Sequence, residues 1–346
     1  MTIAVPDSSS RIFNAEFANL SAVVYKRLEL EWHYHQKQDL ATDVHRLFQY
    51  AVEFGRLLQV VYRHKLFDSL YEEAKWYAVV FETRGSGHDS FAVVLESWII
   101  AIQGIIKPPE CNELARPLQT LRHELPLLIA RARDSAKTET KKAPSPIVER
   151  LIRGDVNGAR EIVSSMLGKD RPKHRLIVEV LLPAMVEIGQ LWELNQLYIF
   201  EEHLATEAIR SLLAGLPVMM EGSLPTSERR ALVSCIPGDE HGLIPVALAV
   251  YLEIRGWIVK NLGGSLPASQ IAHAVIALAP DALFLAFTML SRLDDALEVI
   301  GQVREQSAQC RVIFGGRGAI SAQAVLESRG AVVARDFDEG YILASG

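Results

Sequence analysis

The most constraining feature of this chain is a change of period after residue 229. Over 229–346, short β-type runs at 231–235, 258–262, 282–287, 312–314 and 331–333 are predicted strands. Between them lie helical runs at 243–255, 267–278, 293–307 and 319–328. Strands joined by helices require right-handed crossovers, hence a parallel sheet covered on both faces. Five such units in 118 residues predict a flavodoxin-like, doubly wound α/β domain. In such a sheet ligands bind beyond the carboxyl ends of the strands, where the strand order reverses.

Upstream the period is helical. From Leu40 to Ala78, Val44, Leu47, Phe48, Val52, Phe54, Leu57, Leu58 and Val61 recur three and four apart, the spacing of an amphipathic helix. Further helices are predicted at 91–106, 114–133, 146–153, 156–167, 172–191 and 199–213, with Asp155 as a cap and a turn at 84–90. The polar stretch 134–146, ending Pro-Ser-Pro, reads as a linker, and 222–230 as a shorter connector. The expected architecture is therefore multidomain. An all-α domain spans 1–134, a linker 135–145, a helical bundle 146–221 and the α/β domain 229–346.

Composition narrows the function classes. The 346 residues are 49% apolar and 23% charged, so a large core forms and global disorder is excluded. A net charge of −6 gives no reason to expect a nucleic-acid surface over the whole chain. Three cysteines without CxxC spacing exclude a disulfide framework and a cysteine-rich zinc site. Apolar runs are far shorter than the ~20 residues of a membrane span. The opening MTIAVPDSSSR lacks the basic-then-apolar order of a signal peptide. A cytoplasmic protein with no membrane partner is expected.

The chemistry-bearing residues fall in the strand-end loops. After the first strand comes Pro237-Gly238-Asp239-Glu240-His241-Gly242. An Asp two residues before a His can hold one ring nitrogen and leave the other to a metal. Gly263-Gly264-Ser265, Thr288-Met289-Leu290 and Gly315-Gly316-Arg317-Gly318 follow the next three strands. Small or hydroxyl residues at four strand ends let something bulky approach the backbone. This set resembles the cobalamin-binding domain of methionine synthase, corrinoid carriers and mutases, whose hallmark is Asp-x-His-x-x-Gly. Asp239, Glu240, His241, Gly242 and Leu243 follow that pattern; Ile244 stands where the last Gly is expected. The resemblance implies that His241 replaces the cofactor's own base as lower axial cobalt ligand. It also implies that the displaced nucleotide tail threads past Thr288 to lie along Gly315 and Gly316, with Gly263 and Leu290 also among the cofactor-binding residues.

Within 180–213, Trp192 is followed by nine residues and then Glu202-His203. That spacing, with its flanking Pro-Ala and Gly-Gln-Leu-Trp, resembles the light-sensing cobalamin photoreceptors that control carotenoid genes in bacteria. The resemblance implies a four-helix cap over the upper corrin face and adenosylcobalamin as cofactor. Trp192 would shield the Co–C bond, Glu202 would bond the adenosyl hydroxyls, and His203 would ligate cobalt after light removes the adenosyl group. Cap movement would then change self-association or the surface offered to a separate effector protein.

The first segment carries Trp32, His33, Tyr34, His35, His45, Tyr50, Tyr62, His64, Tyr71, Trp76, Tyr77 and His88. It reads either as a bundle with an aromatic core or as a pocket for a planar chromophore. A helical domain fused to such a module resembles the photocobilins, which implies biliverdin as a second cofactor. Cys111 is read as incidental rather than as an attachment point. No winged helix-turn-helix is found, so DNA binding is not expected, nor is a catalytic output domain. A corrinoid methyl carrier and a heme sensor on the same scaffold are the alternatives.

Overall fold

The computed structural model describes residues 5–35, 44–83, 90–139, 143–166, 172–217, 227–307 and 309–346. His88 and most of the turn around it lie outside them. So do parts of the linker and connector and the side chains of Trp32, His35 and His45. The chain divides into two compact units. One comprises Met1–Ala143 with Glu193–Gln196, the other Pro144–Trp192 with Leu197–Gly346.

The first unit is built from α1 (Asp7–Ala15), α2 (Phe17–His35), α3 (Val44–His64), α4 (Phe67–Thr83), α5 (Ser90–Ile105) and α6 (Glu110–Glu139). α6 is longer than expected. Its interior prolines, Pro117 and Pro126, each remove one backbone hydrogen bond, but the helix runs on through both while Leu114, Leu118, Leu121, Leu125 and Leu128 bury one stripe along it. Beyond residue 133 the helix continues to Glu139, into the segment read as linker, because no glycine or proline occurs before Pro144. Many of the described aromatics pack on one another. The Phe13 and Tyr62 rings meet edge to face at 5.1 Å, and Tyr77 stacks on Phe91 at 5.7 Å. Tyr62 Oη donates to the Leu114 carbonyl and Trp98 Nε1 to that of Ala51.

The second unit starts with four helical segments. They are α7 (Pro146–Ile152), α8 (Val156–Ser165), a continuous run of α9 (His174–Leu176), a π-helical turn (Ile177–Leu181) and α10 (Leu182–Glu193), and α11 (Ile199–Gly215). Asp155 caps α8 as expected, its Oδ1 accepting from Gly158 N at 2.9 Å. The sheet follows: β1 (Arg230–Cys235), β2 (Ile258–Gly263), β3 (Ala282–Ala286), β4 (Arg311–Gly315) and β5 (Val332–Ala334). All pairings are parallel and the order is β2-β1-β3-β4-β5. The connecting helices are α12 (Leu243–Ile254), α13 (Ala268–Leu278), α14 (Leu293–Gln306), α15 (Arg317–Ser321) and α16 (Gln323–Ser328).

A last helix, α17 (Phe337–Ser345), was not expected from the sequence. Asp336 caps it through Glu339 N at 2.7 Å. Helices and sheet share one core. Ala205, Ala208, Ile209 and Leu212 of α11 join Ala247, Val250 and Tyr251 of α12 and strand residues Val233 and Phe284 in a single buried cluster. Arg175, before the π turn, reaches Asp338 of α17 at 3.0 Å.

Candidate functional site

The strand order reverses between β1 and β3, so their following loops flank the switch point. Asp239, in the β1 loop, is 1% exposed. One of its oxygens, Oδ1, accepts from His241 N at 3.0 Å and from His241 Nδ1 at 2.7 Å. The other, Oδ2, accepts from the backbone N–H of Thr288, after β3, at 2.6 Å. Burial pushes this carboxyl up. The His241 ring and the two backbone amides outweigh burial and hold it below the usual carboxylate range.

A carboxylate has only lone pairs to offer, so His241 Nδ1 must carry the proton. The lone pair then sits on Nε2, on the side of the ring away from Asp239. The His241 side chain is 51% exposed. Ile244 occupies the first turn of α12, where its N–H bonds the His241 carbonyl at 3.3 Å. The replaced glycine therefore leaves the Asp–His pair intact. Gly242 caps α12, Leu243 packs toward the shared core and Glu240 is exposed.

The glycines have separate reasons. Gly316 has φ +110, and a Cβ there would lie 2.6 Å from the Phe287 carbonyl oxygen. Gly315 precedes it at the end of β4. Gly263 has φ +80 and opens onto empty space. Leu290 is buried. Cys235 lies deep beside Asp239; burial and that charge push its thiol up to about 12, which removes it as a nucleophile.

Trp192, one residue before the end of α10, is half-buried. Glu202 accepts from Thr206 Oγ1 at 2.8 Å within α11. His203 is exposed and, with Ile199, Phe200, Leu204 and Glu207, lines an open depression of 610 Å³. The structure thus joins Asp239, His241 and Thr288 by hydrogen bonds, and sets Glu202 and His203 on α11, which packs on α12. Two features escaped the sequence reading. Thr288 contributes its backbone amide, where the sequence reading had noted only its hydroxyl. Arg292 lies on Gly238, a contact for which a lone cation after β3 was the only available signal.

One accessible imidazole, fixed by a buried carboxylate at a switch point beside a glycine shelf, suits a metal that arrives within its own macrocycle. Residues 146–216 and residues 229–341 each match a protein-family model described as "B12 binding domain". The second unit thus carries cobalamin-binding domains. More particularly, the chain is similar to two proteins of Myxococcus xanthus. It is 29% identical over 157 residues to the HTH-type transcriptional repressor CarH, covering 45% of this chain and 52% of that protein. It is 30% identical over 159 residues to the HTH-type transcriptional repressor CarA, covering 46% and 53%. The chain spans about half the length of these two relatives. Dimethylamine corrinoid protein 1 of Methanosarcina acetivorans is 23% identical over 152 residues, covering 43% of this chain and 71% of that protein. Among solved structures, the Methanosarcina barkeri monomethylamine corrinoid protein aligns with a TM-score of 0.49 and 15% identity, over 58% of this chain and 97% of that one.

Proposed function

We propose that this chain is a light-responsive cobalamin sensor, not an enzyme, holding adenosylcobalamin with its base displaced and His241 beneath the cobalt. The observation that carries the reading is the Asp239–His241 pair, whose buried carboxylate fixes the tautomer and presents Nε2. When bound, the cofactor supplies a Co–C bond that visible light breaks. The residues do the rest. Asp239 holds the proton on Nδ1. Gly315 and Gly316 leave backbone room for the nucleotide tail. Trp192, Glu202 and His203 form the cover on the opposite side. The buried half of α11, from Ala205 onward, is locked in the shared core. Its N-terminal end, with the N-cap Tyr198 and first-turn Ile199 and Phe200 exposed, is the part able to respond.

The output is a change in self-association or in binding to an effector protein. Repressor relatives support a regulatory role. Their DNA binding is not extended to this chain, because the described residues before β1 contain no strand for a winged motif. Among the described residues no helix is long and apolar enough to cross a membrane. The corrinoid relative supports a second reading, a methyl carrier, which needs an uncovered upper face.

Spectra decide between them. Dark and illuminated adenosyl forms should differ in absorbance and in elution volume, and His241→Ala should weaken retention and abolish the base-off spectrum. Identical lit and dark forms refute the sensor reading. Supplying biliverdin during purification tests the first unit as a second chromophore site, a red-absorbing band being the expected result.

A further inference from the structure

The division between the two units falls inside the turn that joins α10 and α11. The chain leaves the second unit after Trp192 and re-enters it at Leu197, and Glu193–Gln196 belong with the first unit. Two hydrogen bonds internal to that unit hold them. Trp76 Nε1 donates to Glu193 Oε1 at 2.7 Å, and the Thr83 hydroxyl donates to the Glu193 carbonyl. Trp76 and Thr83 stand seven residues apart, two turns along one face of α4. Both bonds end on one residue, the immediate neighbour of Trp192.

The held segment has little slack. Leu191 and Leu197, on either side of it, are buried in the second unit's core. The residues between them include no glycine, and Asn195, a residue that tolerates the left-handed region, makes the turn at φ +54. A shift of Trp192 therefore passes to Glu193 through a single peptide unit. On the α4 side the grip has two settings. Thr83 Oγ1 also lies 2.9 Å from the Val79 carbonyl of its own helix. One hydroxyl carries one proton, so letting go of Glu193 leaves that donor satisfied. Trp76 leads inward: its ring meets Tyr77 edge-on at 5.1 Å, and Tyr77 stacks on Phe91.

We propose that Trp76, Thr83 and Glu193 are positioning residues that couple Trp192 to the first unit, so that movement of Trp192 on illumination frees α4 from Glu193. This rests on the light-sensor reading, in which Trp192 covers the cofactor and shifts when the adenosyl group leaves. The element that both sides bias is the Thr83 proton, shared between the Glu193 and Val79 carbonyls. The first unit then receives the signal whether or not it holds a chromophore of its own.

The test is hydrogen exchange on the full chain loaded with adenosylcobalamin, dark and lit, with absorbance following Co–C cleavage in the same sample. In wild type the amides of residues 76–83 should exchange about five- to tenfold faster after light. In the double variant Trp76→Phe, Thr83→Val the lit and dark rates there should agree within about twofold, while the cobalamin Kd and the light-driven absorbance change match wild type. Glu193→Gln keeps a carbonyl oxygen for Trp76 and should retain the light-driven difference; Glu193→Ala should lose about half of it. Should the double variant fail to fold, the Gln and Ala pair decides. Wild type that photolyses with unchanged exchange at 76–83 overturns the proposal and keeps the sensor reading. A double variant with the full wild-type difference also overturns it. Equal losses in Glu193→Gln and Glu193→Ala do so as well, because a general disturbance of the turn would then be the cause. Wild type without any absorbance change under light overturns the sensor reading together with this proposal.

Discussion

Replacing Asp239 by Asn isolates the contribution of one buried carboxylate. Asn has the same shape, but one of its two head atoms becomes an NH2 donor. All three groups that meet Asp239 are donors: His241 N, His241 Nδ1 and Thr288 N, at 3.0, 2.7 and 2.6 Å. Turned the better way, the amide keeps both His241 bonds and sets its NH2 against the Thr288 N–H. A buried N–H without an acceptor costs about 1–3 kcal/mol, and two charge-assisted bonds become neutral ones at about 1 kcal/mol each. Relief from burying a charge offsets part of this. The net is a loss of about 2–4 kcal/mol. For a unit of roughly 200 residues that lowers Tm by about 5–15 °C, read by calorimetry on the apo protein. The imidazole also loses its anionic support, so cobalamin affinity should drop about 10- to 100-fold. A variant melting within about 1 °C of wild type, with unchanged cobalamin affinity, would refute the account of the Asp239 cluster.

Other perturbations probe separate parts. Gly316→Ala forces a side chain into φ +110 and against the Phe287 carbonyl; about 2–4 kcal/mol of stability should be lost, and cofactor binding with it, in the same calorimetric and titration assays. His174 is pulled below its ordinary pKa by burial and by Arg255 and Arg175, against Asp338 and Glu179, and its ring meets Tyr251 edge-on. Its contribution to stability is therefore complete above pH ~6.5 and lost as pH falls through the lowered value. His174→Gln should flatten that acid limb in urea midpoints measured from pH 7 to 5. Gly55→Ala drives a methyl into the Trp98 ring; the first unit should lose about 1–3 kcal/mol while cobalamin binding stays unchanged, and coupled losses would refute the division into two units.

The parallel sheet was legible because each strand and crossover helix announces its own period, and a buried parallel strand such as β3 is apolar at every position. The Asp–His pair was legible because both partners sit within three residues. α17 was not: its run Phe337–Ser345 is short, and the Asp336 cap holds it as a helix only together with its packing on β4 and β5. The end of α6 was misread for the opposite reason. Polar composition in 134–139 looks like a linker, yet those residues simply continue a helix nucleated by a long buried stripe.

The sequence alone determined the class of fold, the Asp239–His241 pairing and the positions of the glycines, since these depend on contacts within a few residues or on strand ends that topology must gather. Tertiary structure decided what those groups meet. It closed Asp239 with an amide 49 residues away, set Gly316 under the Phe287 carbonyl, seated Arg292 on Gly238 and fused the helical segments to α12 through one core. Each of these is a contact between distant segments, made by packing and by the need to satisfy buried polar groups, and periodicity along a chain carries no record of such meetings.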